Sequence, residues 1–463
     1  RSLVGSEMCI RDRDKRDSID FDNGQVGALF RKLLIPTLLG TLSMSAMTAI
    51  DGIIIGHGVG SNGVAAVNII CPIYLIFSGF GLMVGSGCSV AVSIHLARQK
   101  TKVARLNVTQ ALVFATLITA IICLFAMLFP EWSARLLGSS ETLLPQTSDY
   151  LFWLMPSFIF QMWSLIGLFV IRLDGSPNVA MWCNIIAAAL NIILDYIMIF
   201  LFGWGVKGAA IATSISIISG GIIALAYLFF YANTLKLVPL KFSRNSLLLS
   251  LRNIGYHCRI GFSSLLGEIT LAVLIFMGNL MFMKYLGDDG VAAFGIACYY
   301  TPFFFNIGNA VAQSAQPIIS YNYGAGRWGN VVQARRLMFL TSLFCGITIM
   351  LLFLLLPNLL VALFLDPTSA AGRMAIYGFP YYAIGIPFFI LNVAIIGYYQ
   401  SVERMNTAIS FAFLRGIGLL IPVFVLLPQW LGTTGIWLSM PFTEIITLVF
   451  VILWSFKIRN IPH

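Results

Sequence analysis

Gly63-Val64-Ala65-Ala66-Val67 and Gly290-Val291-Ala292-Ala293-Phe294 are near copies of one pentapeptide, 227 residues apart in a chain of 463. Each stands at the start of a long apolar run. The same displacement carries Tyr150 onto Tyr377 and Gly208 onto Gly435, again at matching places in such runs. With four inserted residues allowed, Val103-Ala104-Arg105-Leu106 falls on Ala334-Arg335-Arg336-Leu337. Self-similarity at a fixed long displacement marks a duplicated architecture, so the chain reads as two halves built on one plan.

The runs themselves name the solvent. Hydrophobic residues make up 59% of the chain, charged residues 10%, and the mean hydropathy is +0.90, far from water-soluble composition. A spanning helix needs about 20 mostly apolar residues, because the hydrocarbon core is roughly 30 Å thick and offers its backbone no hydrogen bonds. Apolar runs between charged or Gly/Pro breaks predict twelve helices: about 33–56, 64–95, 108–129, 148–171, 178–202, 206–231, 260–284, 291–319, 333–356, 374–399, 406–427 and 433–456. The expected fold is therefore an all-α polytopic membrane protein of twelve transmembrane helices in two pseudo-symmetric six-helix lobes. Six spans per half give both halves the same topology, related by an axis along the membrane normal, with a cavity at their interface. The expected divisions are a tail over 1–27, a first lobe over 28–231, a basic cytoplasmic linker over 232–259 and a second lobe over 260–463. The tail mixes charges of both signs and lacks the apolar centre of a signal peptide, and it is expected to be a disordered or non-native segment.

The net charge of +10 does not point to nucleic acid, because the basic residues are scattered between spans. From residue 31 onward, eighteen Lys and Arg fall on one set of connections and only Arg135, Lys207, Lys284 and Arg373 on the other. The positive-inside bias then places the first set, and both termini, in the cytoplasm. The eight cysteines lie mostly in apolar runs without CxxC pairs and read as small core residues.

Charged side chains in a bilayer centre cost several kcal/mol, so each one is a functional candidate. They are Asp51, Asp195, Glu268, Arg415 and Glu444. Asn191 and Asp195 are spaced i, i+4 and share a helix face; Thr213 on the next helix adds a hydroxyl and Asp51 a second carboxylate. These all-oxygen groups suit a hard monovalent cation such as Na+, or a proton held between two carboxylates and displaced by an exported cation. Asp51 also has a plainer reading, as a residue near a helix end touching water. Arg415 and Glu444, near the middle of adjacent antiparallel helices, are expected to pair and relieve each other's desolvation. Glu268 has three readings: a contact for a cationic substrate, a second-lobe proton coupler, or a residue facing water. Prolines and glycine clusters interrupt several helices and permit bending. Met44, Met47, Phe160 and Trp163 are candidates for an adaptable apolar cavity.

Several of these stretches resemble the multidrug and toxic compound extrusion (MATE) family, over residues 28–456. Asp51-Gly52-Ile53-Ile54-Ile55-Gly56 before Gly63-Val64-Ala65-Ala66 is similar to its opening motif, and Asp174-Gly175-Ser176-Pro177 to its fourth-to-fifth-helix turn. Gly205 to Thr213 resembles its sixth-helix entry, and Asn322-Tyr323-Gly324-Ala325-Gly326-Arg327 the motif after its eighth helix. The resemblance implies the MATE fold, with two lobes rocking between outward- and inward-facing states in the inner membrane of a bacterium. It implies export of amphipathic organic cations in exchange for H+ or Na+, with no cofactor, and a family cation site that maps onto Asp51, Asn191, Asp195 and Thr213. Some members use acidic residues of the second lobe instead. Glu268 matches one of them, but the tenth helix here carries no acid.

Two rivals remain at this stage. A flippase for a lipid-linked or other amphipathic substrate shares the architecture, but its cavity is typically cationic, whereas the spans here hold one clear cation against four acids. An intramembrane enzyme would need a metal or nucleophile constellation, and the four histidines form no HExxH, nor does GxSxG occur. A duplicated chain needs no partner to complete its cavity, so a monomer is expected to function.

Overall fold

The computed structural model describes residues 20–22, 24–59, 61–240 and 243–459; most of the tail expected over 1–27 lies outside them. The first half contains α1 (Val26–Gly58), α2 (Ser61–Ala97), α3 (Thr101–Leu128), the short α4 (Pro130–Leu136), α5 (Leu144–Leu154), α6 (Ser157–Leu173), α7 (Pro177–Asp195) and α8 (Gly205–Ala226). The second contains α9 (Arg244–Gly324), α10 (Trp328–Leu355), the short α11 (Pro357–Ala362), α12 (Ala370–Ala383), α13 (Ile386–Ser401), α14 (Met405–Phe413) and α15 (Leu420–Arg459). Three π-helical turns interrupt this series, at Tyr196–Leu201, Tyr227–Tyr231 and Leu414–Leu419.

Two elements are too long to be single spans. The 81 residues of α9 would stretch about 120 Å at 1.5 Å per residue, some four bilayer cores. The chain turns back at Gly287 (φ 66°, ψ −158°), a conformation that favours glycine, and Gly432 (φ 57°, ψ −139°) divides α15 in the same way. Two pairs, α5 with α6 and α12 with α13, each bend by 49° within one span, beside Pro156 and Pro387 respectively. Counted so, the described residues make twelve spans, six before the break at 241–242 and six after it.

The duplication is written into the backbone. α3 and α10 are 28 residues each, displaced by 227 at both ends, and α4 and α11 open on Pro130 and Pro357 at the same displacement. Left-handed turns repeat too: Gln99 (φ 60°) with Gly326 (φ 74°), and Gly205 (φ 54°) with Gly432 (φ 57°). The expected four-residue insertion before Ala334 is therefore absent. Ala104 corresponds to Val331, both buried, because turn geometry and the buried helix face set the register rather than a four-residue match around one arginine.

The stretch read as a linker has two parts. Residues 232–240 are non-helical and tied down by Asp174, whose carboxylate accepts the backbone N–H groups of Asn233, Thr234 and Leu235 at 3.0, 2.9 and 2.8 Å. From Arg244 the chain is already helix, capped by Ser243 Oγ accepting from the Ser246 N–H at 3.2 Å and continuous with the seventh span.

The halves meet at the end of the bundle that carries most of the basic residues, here called the basic end. There α2 lies against the seventh and eighth spans with backbones nearly touching: a Cβ on Gly87 would fall 1.9 Å from the His257 carbonyl, and one on Gly261 1.8 Å from that of Met83. Polar bonds cross the same seam. Gln400 Nε2 donates to Ser86 Oγ (2.7 Å), Gln316 Nε2 to the Ser86 carbonyl (2.9 Å) and Ser93 Oγ to the Pro317 carbonyl (3.3 Å).

Candidate cation site and inter-lobe cavity

Away from the basic end, three spans of the first half bring four polar side chains together. Asn191 and Asp195 stand one turn apart on α7 and are fully buried. Thr213 comes from α8, and its Oγ accepts from Asn191 Nδ2 at 3.3 Å. Asp51 arrives from α1 with its carboxyl within interaction range of that of Asp195. At Asp195 the helix passes into the π-helical turn Tyr196–Leu201, the kind of widened turn that re-aims side chains and recurs at functional sites.

The chemistry of the cluster lies in what is missing. Asp51 Oδ1, Asn191 Oδ1 and both Asp195 oxygens are buried without a hydrogen-bond partner among the described residues. Buried acceptors left without donors cost a few kcal/mol each. The Asn191 amide nitrogen is engaged by Thr213, so its oxygen remains an acceptor. Carboxylate and amide oxygens with no donor between them fit a hard cation or a proton. Two tyrosines extend the site. Buried Tyr150 brings its hydroxyl within reach of Thr213, and Tyr74, packed on Phe158 at 6.1 Å, lies within electrostatic range of both Asp51 and Glu268. The sequence marks Tyr150 only as the repeat partner of Tyr377 and does not mark Tyr74, because aromatics in apolar runs are common.

Glu268 is buried on the seventh span, its side-chain carbons 3.3 to 3.4 Å from where a Gly79 Cβ would stand on α2. It thus faces the other half across the interface and is not exposed to solvent.

Arg415 and Glu444 are in contact, both nearly devoid of exposure. Arg415 Nε lies 2.7 and 2.9 Å from the two Glu444 oxygens. Asn392 completes the group by donating to Glu444 Oε2 at 2.8 Å and to its backbone carbonyl at 2.9 Å, and Phe389 stacks under the guanidinium at 4.1 Å. Arg415 stands in the π-helical turn Leu414–Leu419 and also lines a cavity of about 50 Å³ between the halves, with Phe169, Ser86, Gln313, Gln316 and Gln400.

Arg172, placed by the sequence in a connection, is buried at the end of α6 and donates to Gln313 Oε1 at 2.7 Å across the interface. Of the four apolar candidates, none lines that cavity. Met47 is buried and Met44 partly buried on α1, while Phe160 and Trp163 pack edge to face at 4.7 Å within the first half, Trp163 donating to Thr116 at 2.8 Å.

The family model for MatE matches residues 36–197 and 264–426, one copy in each half. Among curated proteins, the multidrug export protein MepA of Staphylococcus aureus is 24% identical over 443 residues, covering 95% of this chain and 96% of its own. Its Staphylococcus saprophyticus counterpart is 24% identical over 429 residues, 92% of each chain. Among solved structures, a multidrug resistance MATE transporter in an outward-facing conformation superposes with a TM-score of 0.85 at 19% identity, covering 94% of this chain and 96% of that one. A Vibrio cholerae MATE transporter gives 0.85 at 20% identity, covering 94% and 98%.

Proposed function

Since this chain belongs to the MatE family of membrane transporters, we propose that it is a secondary active multidrug efflux antiporter, exporting amphipathic organic cations in exchange for H+ or Na+. It is a multi-pass transporter and not an enzyme. The observation that carries the ion-coupled reading is the set of donorless oxygens on Asp51, Asn191 and Asp195, buried together in the first half. An entering proton or monovalent cation takes the carboxylate pair from two negative charges to one, and its release restores the second, which is costly to hold beside the first in low dielectric. That difference is the free energy an antiporter needs to couple one movement to another.

Glu268, buried and facing α2 across the interface, supports a cationic substrate. The basic end is assigned to the cytoplasm, with both termini, from the Lys and Arg bias. The seam of α2 against the seventh and eighth spans closes that end, which is the arrangement of an outward-facing state. Residues 28–231 and 260–463 are assigned as the rocking lobes, and a single chain as the working unit.

Asp195→Asn tests the reading. It keeps the shape and removes one charge, so efflux driven by an ion gradient should be lost at unchanged membrane insertion. Wild-type efflux by the variant at equal expression would reject the site.

A further inference from the structure

A second cavity, of about 550 Å³, opens at the basic end beside α2 and apart from the inter-lobe one. Arg98 just after α2, Arg252 on the opening turns of α9, Arg259 about two turns further on, and Glu403 in the turn after α13 line it. The charge is lopsided. The Glu403 carboxylate is engaged by the Tyr256 hydroxyl. Arg259 reaches only a neutral partner, Asn406 Oδ1 at 3.3 Å, and none of the three arginines belongs to an ion pair among the described residues.

Three guanidiniums against one carboxylate leave the wall with an excess of positive charge that favours an anionic guest, and guanidinium forks match phosphate oxygens. What stands beside the arginines narrows the guest further. Leu247, Leu248, Leu249 and Leu251, on the same first turns of α9, are 63%, 58%, 47% and 55% exposed, and Leu249 also lines the cavity. Basic side chains next to a displayed leucine surface at the border of a membrane bundle fit a phosphate head joined to acyl chains. A free phosphate would use the arginines and leave the leucines idle.

We propose that this pocket binds the headgroup of an anionic phospholipid, with its acyl chains along the leucines. Its arginines come from both halves, Arg98 from the first and Arg252 and Arg259 from the second, so the bound lipid bridges the seam and favours the arrangement closed at the basic end. This is a lipid-regulatory site separate from the coupling cluster, and it stands whichever ion drives transport.

The test compares purified wild type with Arg98→Gln/Arg252→Gln, exchanging two exposed side chains. In native mass spectra of protein titrated with phosphatidylglycerol, wild type should hold one more bound lipid per chain than the double variant, with phosphatidylcholine binding equal. In nanodiscs, phosphatidylglycerol should raise the melting temperature of wild type above its value in phosphatidylcholine alone, and the variant should lose at least half of that gain. On wild type alone, high salt should abolish the same gain, because exposed guanidinium contacts are screened. Equal phosphatidylglycerol binding by both proteins, or a salt-independent gain, would overturn the proposal. So would an equal gain from inorganic phosphate in detergent, which would make the pocket a free-anion site.

Discussion

Glu444 has two oxygens and two neighbours to satisfy them, Arg415 on both and Asn392 on one. Removing one partner of a buried pair strands the other, and such losses run to roughly 3–5 kcal/mol. Arg415→Ala should therefore lower the melting temperature in detergent sharply. Arg415→Glu combined with Glu444→Arg should recover part of the loss, and a double variant no more stable than Arg415→Glu alone would deny the pair a structural role. Asn392→Leu strips two hydrogen bonds but no charge and should cost less, about 1–3 kcal/mol by the same unfolding assay. The sequence exposes Arg415 and Glu444 because charges are rare in its apolar runs. It hides Asn392, a neutral amide in such a run, and it hides the burial of Arg172, which a position at a span end makes look solvated. Asp51, Asn191, Asp195 and Thr213 were legible for a different reason: a period of 3.6 residues places two of them on one helix face, and carboxylates are rare in the apolar runs.

Helix ends and helix contacts obey backbone rules that a sequence shows only in part. The seam between α2 and the seventh span depends on Gly87 and Gly261, where any side chain would meet a carbonyl at under 2 Å. Gly261→Ala should push the seam apart at the basic end, since overpacking of this kind costs about 1–3 kcal/mol or more. Disulfide trapping reads this directly. Ser86 and Ser264 place their hydroxyls 3.1 Å apart, so Ser86→Cys/Ser264→Cys, with the native cysteines replaced, should cross-link readily, and adding Gly261→Ala should reduce the yield several-fold. An unchanged yield would mean that the seam tolerates the methyl group. Gly432 presents the opposite case, with open space around its Cβ position but φ at 57°. Gly432→Ala should cost about 1–2 kcal/mol from backbone conformation alone, measured by the same melting assay. The twelve spans were readable from the lengths of apolar runs, whereas the start of α9 at Arg244 was not: a polar stretch reads as a connection until its Ser243 cap is seen.

At the scale of the whole molecule, one displacement of 227 residues relates helix lengths, proline starts and left-handed turns in the two halves. The pentapeptide pair gave the right displacement because it sits at a turn shared by both lobes. The match at Val103 to Leu106 did not, because a lone arginine is a poor register mark. Duplication supplies two lobes and a seam, but the lobes differ where chemistry is concerned. The first gathers two acids and an amide without donors, whereas the second binds one of its two buried acids, Glu444, to an arginine and holds the other, Glu268, at the interface outside any ion pair among the described residues. That asymmetry favours coupling in the first lobe. The most direct test is ethidium efflux from proteoliposomes under a proton gradient and a sodium gradient applied separately, with wild type beside Asp195→Asn. Efflux driven by one of the gradients is expected in wild type and none in the variant. Efflux that persists in the variant would contradict the site, and its absence from folded wild type under both gradients would contradict the antiporter and favour a lipid flippase.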